Sequence, residues 1–291
     1  MRLHFVVGTG RCGSSLVHEI LANHEGVGFV SNLDDNLARL NMQGRYNNAL
    51  YALSRGAFTR KGTLRFAPSE AYRLIGSEVS PVYENSFRDL LASDVTPWLR
   101  LRLQAFFEQR WRAQRRGTLL HKYTGWSRVG FFGEVFPEAK FIHIVRDGRA
   151  VANSWLQMDW WGGYRGPGHW PWGPLPPHLQ AEWDSTGRTF VALAGLSWRL
   201  LMEAFEAAKA RLEPRRYLEV RYEDFVASPA ESLRAMVDFI GLQWSRRLER
   251  AIAHGQFDGS RRNAFERDLR PEQVAELERL LGPILERYGY T

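Results

Sequence analysis

The sequence has very little cysteine: its 291 residues include one, Cys12. A single cysteine excludes an internal disulfide and any four-cysteine zinc site, and it favours a reducing compartment. No apolar run approaches the roughly 20 residues that a membrane span needs, and the first predicted strand begins at Leu3, which leaves no room for a signal peptide. The eight histidines show no His-Glu-x-x-His spacing. We therefore expect a cytoplasmic protein without a metal site.

Positive charge, by contrast, is in excess. The chain has 39 Lys and Arg against 32 Asp and Glu, a formal net charge of +7. Such a balance favours anionic ligands. The length suits one large domain over residues 1–291 with a sizeable buried core.

Short apolar runs alternate with helical patterns along the chain. The runs cover residues 3–7, 28–30, 118–121, 140–145 and 217–221. This alternation predicts an α/β fold with a mostly parallel central sheet flanked by helices. Ligands of such sheets collect at the carboxyl ends of the strands. The chain should therefore carry its chemistry where these runs end.

Two segments depart from the alternation. Residues 33–116 contain no clear strand and are predicted to form a mainly helical insertion. Residues 159–186 are rich in glycine and proline, which argues against regular structure, and they carry Trp160, Trp161, Trp170 and Trp172. This second segment is predicted to be a lid or acceptor loop, with the alternative that its tryptophans form a small core of their own.

A glycine-rich anion loop follows the first strand. Gly8 and Gly13 are separated by four residues and followed by Ser14 and Ser15, as in the phosphate-binding loop of P-loop proteins. The usual lysine of that loop is replaced by Ser14, and the cation sits at Arg11 instead. Backbone N–H groups and the start of the following helix can still hold an anion there. Without the lysine, a magnesium-bound triphosphate is a less natural ligand.

A second anion element follows the strand at residues 140–145. Arg146 stands at the end of this strand, and Ser154 lies eight residues further along, in the predicted helix. The pair is predicted to hold a second phosphate at a distance from the first. A nucleotide enzyme of the Walker type has no need of such a site.

These segments resemble the sulfotransferases that use 3′-phosphoadenosine 5′-phosphosulfate (PAPS), a donor with a 5′-phosphosulfate and a separate 3′-phosphate. The first loop of that family reads roughly Arg-Ser-Gly-Thr-Thr or Lys-Ser-Gly-Thr-Thr, and the sequence here is Arg-Cys-Gly-Ser-Ser at 11–15. The family's second motif, Phe-Ile-x-Ile-Val-Arg-Asp-x-Arg-Ala-Val-x-x-Ser, is matched from Phe141 to Ser154. Residues 136–140, 220–225 and 238–242 also look like the family, in family order.

The resemblance implies a role for each matched residue. Arg11, Cys12, Gly13, Ser14 and Ser15 would bind the 5′-phosphosulfate, and Arg11 would also offset charge on the bridging oxygen. By the same likeness, Arg146 and Ser154 would bind the 3′-phosphate. The loop at 259–262 is similar to the basic loop that covers this phosphate in many relatives, which adds Arg261, although paired arginines are also common on solvated surfaces. The family's acceptors are hydroxyls or amines, and here a glycan, glycolipid or small molecule is expected.

The general base for the acceptor hydroxyl is harder to identify. Family members use a histidine after the third strand or a glutamate shortly after the first helix, and the ungapped count from Arg11 reaches Asn32, which cannot accept a proton. Asp34 is therefore predicted as the base, followed by Asp35, with the alternative that either one only caps a helix. His121 and Glu78 are reserves. Lys122 is a candidate for contacts with the sulfuryl oxygens, or else a surface lysine.

Two other function classes remain open from the residues alone. One is a P-loop kinase of small molecules, and the other is a basic protein that binds a nucleotide without turnover. The basic cluster at 109–116 fits a helix face better than a nucleic-acid patch, so no nucleic-acid partner is expected. Two separate anion elements and a loop suited to a lid favour catalysis by sulfuryl transfer.

Overall fold

The sheet is built from five parallel strands. In the computed structural model, which describes residues 1–36, 43–53, 66–169, 172–255, 257 and 259–290, they are β1 (Leu3–Gly8), β2 (Val27–Gly28), β3 (Thr118–Thr124), β4 (Phe141–Val145) and β5 (Tyr217–Arg221). Their order is β2-β3-β1-β4-β5, and each neighbouring pair is parallel. The predicted α/β class with a parallel central sheet is confirmed.

Helices connect and cover the strands. Before β3 lie α1 (Ser14–Leu21), α2 (Asn32–Asn36), α3 (Asn47–Leu53), α4 (Tyr72–Glu78), α5 (Val82–Asn85) and α6 (Pro97–Gln114). Between β3 and β5 lie α7 (Val129–Val135), α8 (Gly148–Leu156), α9 (Pro177–Ser185) and α10 (Phe190–Lys209). After β5 come α11 (Tyr222–Ala227), α12 (Pro229–Phe239), α13 (Arg246–His254), α14 (Ala264–Asp268) and α15 (Pro271–Arg287).

Strand β1 lies in the middle of the sheet, between β3 and β4, and every one of its residues is buried. Phe5 packs on one face of the sheet with Phe107, Phe132 and Phe141, while Val6 belongs to the cluster on the opposite face, under α1 and α12. Burial on both faces explains the continuous apolar run at the start of the sequence, which is typical of an inner parallel strand.

The strand order fixes where a ligand can bind. The neighbours of β1 are β3 on one side and β4 on the other, so the chain changes direction across the sheet at β1. Connections on the two sides diverge at such a point and leave a crevice beyond the carboxyl ends of the strands. Gly8 ends β1 beside Thr124 of β3, and Arg146 follows directly after β4.

The two unusual segments are partly as predicted. The described part of residues 33–116 is mainly helical (α2 to α6), with turns between the helices, and its Pro68 forms an isolated bridge with Ser31; residues 37–42 and 54–65 lie outside the described residues. Within 159–186 the structure contains a short 3-10 turn and α9, so the expectation of no regular structure is wrong there. Pro177 is the first residue of α9, where a proline's missing N–H costs nothing.

None of the helices among the described residues is long and apolar enough to span a membrane. Trp170 and Pro171 of the predicted lid lie outside the described residues. The lid role itself, and the assignment of residues 1–291 to one domain, stay predictions.

Candidate active site

A cavity of about 770 Å³ lies at the crevice beyond β1, β3 and β4. One end is lined by the glycine loop together with Arg146, Tyr222 and Arg261. We call this part the donor end. The other end, which we call the acceptor end, is lined by Glu70, Glu84, Arg128, Trp160 and Trp172, with Tyr72 and Thr124 beside them. The volume is within the usual range of small-molecule sites.

The glycine loop has the left-handed backbone that its sequence suggests. Gly10, Arg11 and Gly13 all have positive φ, at 83°, 56° and 92°. A side chain at Gly13 would meet the ring of Tyr222 at 2.3 Å, so only glycine fits between this ring and the start of α1. The loop thus turns its backbone toward the cavity, as an anion cradle requires.

Cys12, the residue that departs from the family pattern, points away from the cavity. Its side chain is fully buried in the cluster beneath α1 and α12. A Cβ at Gly8 would lie 2.4 Å from the Cys12 Sγ, so the thiol fills the space that this glycine leaves. Any contribution of Cys12 to a bound anion comes from its backbone N–H and not from its thiol.

Three arginines meet at the donor end. Arg11 Nε donates to Ser154 Oγ at 2.9 Å, which joins the first predicted anion element to the second. Arg146 donates through Nη1 to the carbonyl of Arg11 at 2.9 Å and through Nη2 to the carbonyl of Arg261 at 2.8 Å. Among the other donors of this guanidinium, Nε is buried and has no partner within the described residues. The predicted residues Arg11, Arg146, Ser154 and Arg261 are therefore neighbours.

The charges of these arginines are not balanced by the protein. Burial lowers the pKa of Arg11, and the positive charges of Arg146 and Arg261 lower it further. Within the described residues, no carboxylate forms an ion pair with Arg11, Arg146 or Arg261. A cluster of like charges with one unused, buried donor is suited to a polyanionic ligand.

The backbone around Arg146 is fixed by the C-terminal part of the chain. The backbone N–H of Asp147 donates to Glu223 Oε1 at 3.3 Å, and the Tyr290 hydroxyl donates to Glu223 Oε2 at 2.8 Å. The carboxylate of Asp147 caps α8 by accepting from the N–H of Arg149 at 2.9 Å. Segments far apart in the sequence therefore hold Arg146 in place.

Lys122 connects the two ends of the cavity. It lies on β3, its side chain is 9% exposed, and its Nζ donates to Ser15 Oγ at 2.6 Å. The same ammonium group lies 3.0 Å from Glu70 Oε1. Of the two interpretations offered by the sequence, the surface lysine does not fit this burial.

Asp34, the base predicted from the sequence, does not line the cavity. It is buried, and its Oδ2 accepts from the backbone N–H of Ser31 at 2.9 Å and from Asn47 Nδ2 at 2.5 Å. The Asp34 N–H donates in turn to Ser31 Oγ at 3.2 Å, which makes a capping box at the start of α2. This position agrees with the helix-cap alternative and leaves Asp34 without access to an acceptor.

Asp35 and the two reserve residues are also engaged elsewhere. Asp35 lines a smaller neighbouring cavity, but its Oδ1 accepts from the Leu74 N–H at 2.9 Å. Glu78 pairs with the buried Arg110 at 2.9 Å. His121 is fully buried against Phe5 and Phe107, and burial lowers its pKa well below the usual value, so it is a neutral core residue.

The acceptor end combines charge with aromatic surface. Trp172 is buried, and its ring centroid lies 4.5 Å from that of Trp155, while Trp160 is 47% exposed at the rim of the cavity. Arg128 is buried, and its Nη1 donates to the carbonyl of Thr124 at 3.1 Å. Trp161 and Trp172 thus belong to a buried core cluster, as the alternative interpretation expected, while Trp160 and Trp172 line the cavity; the lid or acceptor role stays a prediction.

Sequence reasoning missed Glu70 and Arg128. Neither belongs to a motif, and each reaches the cavity only because its loop is folded against the end of β3. Arg128 has a positive φ of 47°. A positive φ can be anticipated from the sequence at a glycine or an asparagine, but not at an arginine. For metals, the described residues contain no group of three or more His, Cys, Asp or Glu side chains placed to hold an ion.

Comparison with known proteins identifies the class. A profile of the sulfotransferase family matches residues 4–246. The chain therefore belongs to this family, and the enzyme class expected from its motifs is confirmed. A similar curated protein is the omega-hydroxy-beta-dihydromenaquinone-9 sulfotransferase Stf3 of Mycobacterium bovis, which is 27% identical over 309 residues, covering 98% of this chain and 74% of that protein.

Solved structures with the same fold include two sulfotransferases of different origin. Sulfotransferase STF9 from Mycobacterium avium superposes with a TM-score of 0.57 at 17% identity, covering 98% of this chain and 76% of that one. The sulfotransferase domain of the Synechococcus PCC 7002 olefin synthase gives a TM-score of 0.51 at 17% identity, over 96% and 94% of the two chains. At these identities the likeness concerns the fold.

Proposed function

We propose that this sulfotransferase takes its sulfuryl group from PAPS and transfers it to a hydroxyl group on an apolar or aromatic acceptor. The observation that carries the proposal is the pair of anion sites in one cavity: the glycine loop with Arg11 and Lys122, and Arg146 with Arg261 beside Ser154. A donor with a 5′-phosphosulfate and a separate 3′-phosphate has one group for each site.

The residues present fit this donor. Arg146 lines the cavity and its guanidinium has an N–H, Nε, that no described residue bonds, while the ring of Tyr222 packs against Gly13 and lies 4.8 Å from the same guanidinium. In this proposal the acceptor oxygen attacks sulfur in line, and the 5′-phosphate of adenosine 3′,5′-bisphosphate leaves. Lys122, Arg11 and the loop N–H groups offset the charge that develops on the leaving oxygen.

The acceptor class is supported by the acceptor end and by a relative. Trp160 and Tyr72 offer flat apolar surface beside the cavity, which suits rings and hydrocarbon chains. The similar mycobacterial protein is named for a hydroxylated menaquinone, a molecule that is largely apolar. We therefore place lipid-like and aromatic alcohols before glycans, glycolipids and amines as acceptors. A cytoplasmic location, favoured by the single cysteine, completes the proposal.

The alternative of a magnesium-dependent kinase is not supported. In P-loop kinases the hydroxyl at the position of Ser15 binds Mg²⁺. Here that hydroxyl accepts a hydrogen bond from the ammonium group of Lys122 at 2.6 Å, and a cation so close disfavours a divalent metal at the same place. A nucleotide-binding protein without turnover would not need a second end of the cavity lined by carboxylates and tryptophans.

Calorimetric titration with adenosine 3′,5′-bisphosphate, 5′-AMP and magnesium-ATP in one buffer tests the donor. We expect binding of the bisphosphate to exceed that of 5′-AMP by one to two orders of magnitude, since a charge-assisted hydrogen bond contributes about 1.5–3 kcal/mol. Transfer of labelled sulfate from PAPS to a panel of alcohols and phenols then tests the acceptor. Preference for magnesium-ATP would contradict the proposal, and so would bisphosphate binding without sulfate transfer to any acceptor.

A further inference from the structure

We infer that Glu70 is the general base that removes the proton from the acceptor hydroxyl, an inference that rests on the proposed function. A hydroxyl is a weak nucleophile until its proton is taken, and a positioned base contributes roughly 10²–10⁴-fold to such reactions. Glu70 lines the main cavity and also the smaller cavity next to it. Its carboxylate can accept a proton and lines the main cavity, whereas the bases predicted from the sequence, Asp34, Asp35, Glu78 and His121, do not line that cavity.

Glu70 is tied to the site of sulfuryl transfer through Lys122. The Lys122 ammonium lies 3.0 Å from Glu70 Oε1 and donates to Ser15 Oγ at 2.6 Å, so one ammonium group separates the carboxylate from the anion loop. Thr124 Oγ1 also donates to Glu70 Oε1, at 2.7 Å. Both contacts are made to the same oxygen. Oε2 has no hydrogen-bond partner among the described residues and is the atom available to an acceptor.

The backbone that carries Glu70 is held on both sides. The N–H of Ser69 donates to the carbonyl of Val30 at 2.8 Å, and the hydroxyl of Tyr72 donates to the carbonyl of Thr124 at 2.9 Å. Between them, Ala71 is fully buried with a φ of 53°, a conformation that non-glycine residues rarely adopt. Strain of this kind persists where the surrounding contacts enforce it, as at many active sites. Glu70 is thus presented by a fixed segment.

Glu84 is the other carboxylate that lines the cavity, and it serves as the comparison. It belongs to the short helix α5, it is exposed, and it forms no ion pair with Lys122. Asp34 is bound in its capping box, and the Oδ1 of Asp35 is bound to the backbone of α4. Of these four carboxylates, Glu70 is the one that both contacts Lys122 beside the glycine loop and lines the main cavity.

The step balances as follows. The oxygen–hydrogen bond of the acceptor breaks, its proton passes to Glu70 Oε2, and the acceptor oxygen forms a bond to sulfur. The bond between sulfur and the 5′-phosphate oxygen breaks, and its electron pair leaves with adenosine 3′,5′-bisphosphate. No oxidant, metal or further reactant is needed. Glu70 returns its proton to solvent after the sulfated product departs.

Two phenols of different acidity separate a base from a structural residue. We propose to measure sulfate transfer from PAPS to 4-methylphenol and to the more acidic 4-nitrophenol, for the wild-type chain, Glu70→Gln and the control Glu231→Gln, an exposed glutamate in the first turn of α12 that does not line the cavity. An ionised acceptor has already lost its proton, so it needs no base. Glu70→Gln should lower kcat about 10²–10⁴-fold with 4-methylphenol and less than about tenfold with 4-nitrophenol.

Equal losses of kcat with both phenols, or none with either, would overturn the inference. Glu231→Gln should stay within about threefold of the wild type for both acceptors, and a loss matching that of Glu70→Gln would also overturn it. Calorimetry with adenosine 3′,5′-bisphosphate is run on the same preparations. Weak binding of the bisphosphate by the wild type would contradict the proposed function itself, whereas unchanged binding by Glu70→Gln localises its defect to catalysis.

Discussion

The two ends of the cavity have opposite chemical character. At the donor end three arginines lie close together without an ion-paired carboxylate among the described residues, and the glycine loop turns its backbone to the same space. At the acceptor end two carboxylates, Glu70 and Glu84, share the cavity with tryptophan rings. The first arrangement holds a multiply charged ligand. The second removes a proton and accommodates an apolar molecule, so binding and proton transfer are divided between the ends.

Lys122 is the residue at which the two ends meet, and after Glu70→Gln its loss should have the largest effect. Lys122→Met keeps the length of the side chain but removes the charge beside both Ser15 and Glu70. We expect kcat to fall about 10²–10³-fold, since charge stabilisation at the transferring group is a large term in such reactions. Steady-state kinetics with PAPS and 4-methylphenol measures this effect.

The control for the buried Lys122 is Lys140, a half-buried lysine. Lys140 lies at the start of β4, and its Nζ donates to the carbonyl of Phe239 at 2.5 Å, far from the carboxyl ends of the strands. Lys140→Met should retain the turnover of the wild type within about threefold, after correction for the folded fraction. A similar fall in kcat for both variants would mean that Lys122 acts through stability alone.

Arg146 tests the donor end by itself. Arg146→Ala removes the buried, unpartnered Nε and should weaken binding of adenosine 3′,5′-bisphosphate roughly 10- to 100-fold, with little change for 5′-AMP, since a charge-assisted hydrogen bond contributes about 1.5–3 kcal/mol. Calorimetric dissociation constants for the two nucleotides give the comparison. Arg250→Ala on the exposed side of α13 is the control, and equal losses for both nucleotides would remove Arg146 from the proposed 3′-phosphate site.

Asp89 supports the acceptor end, and its titration should appear in stability. Its Oδ1 accepts from the Arg128 N–H at 2.7 Å. Burial raises the pKa of Asp89 from its usual 3.8 to about 6, although the hydrogen bond and charge of Arg128 oppose the rise. Because the folded state binds the proton more tightly, this group's contribution to stability is complete below pH 4 and is lost as the pH rises through 6.

Asp89→Asn keeps an acceptor for Arg128 and removes the titration. The free energy of unfolding of the variant, relative to wild type, should therefore increase by about 1–2 kcal/mol from pH 4 to pH 7 and stay constant above that. Urea unfolding at a series of pH values measures the difference. A difference that does not change with pH would contradict the pKa shift, while effects of the buried histidines are common to both chains and cancel.

The donor end could be predicted from the sequence, and the acceptor end could not. Loop and strand-end residues such as Gly13 and Arg146 lie in contiguous motifs, and a parallel sheet brings the ends of β1 and β4 together whatever else the chain does. Glu70 reaches the cavity through contacts with Val30 and Thr124 that no local pattern encodes. Asp34 could be predicted either as the base or as a helix cap, and the structure has its carboxylate in a capping box with Ser31.

Trp160 should give the smallest effect, and it tests whether the acceptor end selects apolar molecules. Its ring is 47% exposed and packs edge-on to Trp172 with ring centroids 6.3 Å apart, so one face remains for a ligand. Trp160→Ala should raise KM for aromatic acceptors about three- to tenfold and leave the affinity for adenosine 3′,5′-bisphosphate unchanged, because an aromatic contact is worth about 0.5–1.5 kcal/mol. Tyr164→Ala, at a ring of similar exposure outside the cavity lining, is the control. If both variants raise KM equally, the acceptor contacts a wider aromatic rim than the cavity lining. If neither raises KM, Trp160 does not contact the acceptor, and the boundary between the donor end and the acceptor end lies further from β3 than we have placed it.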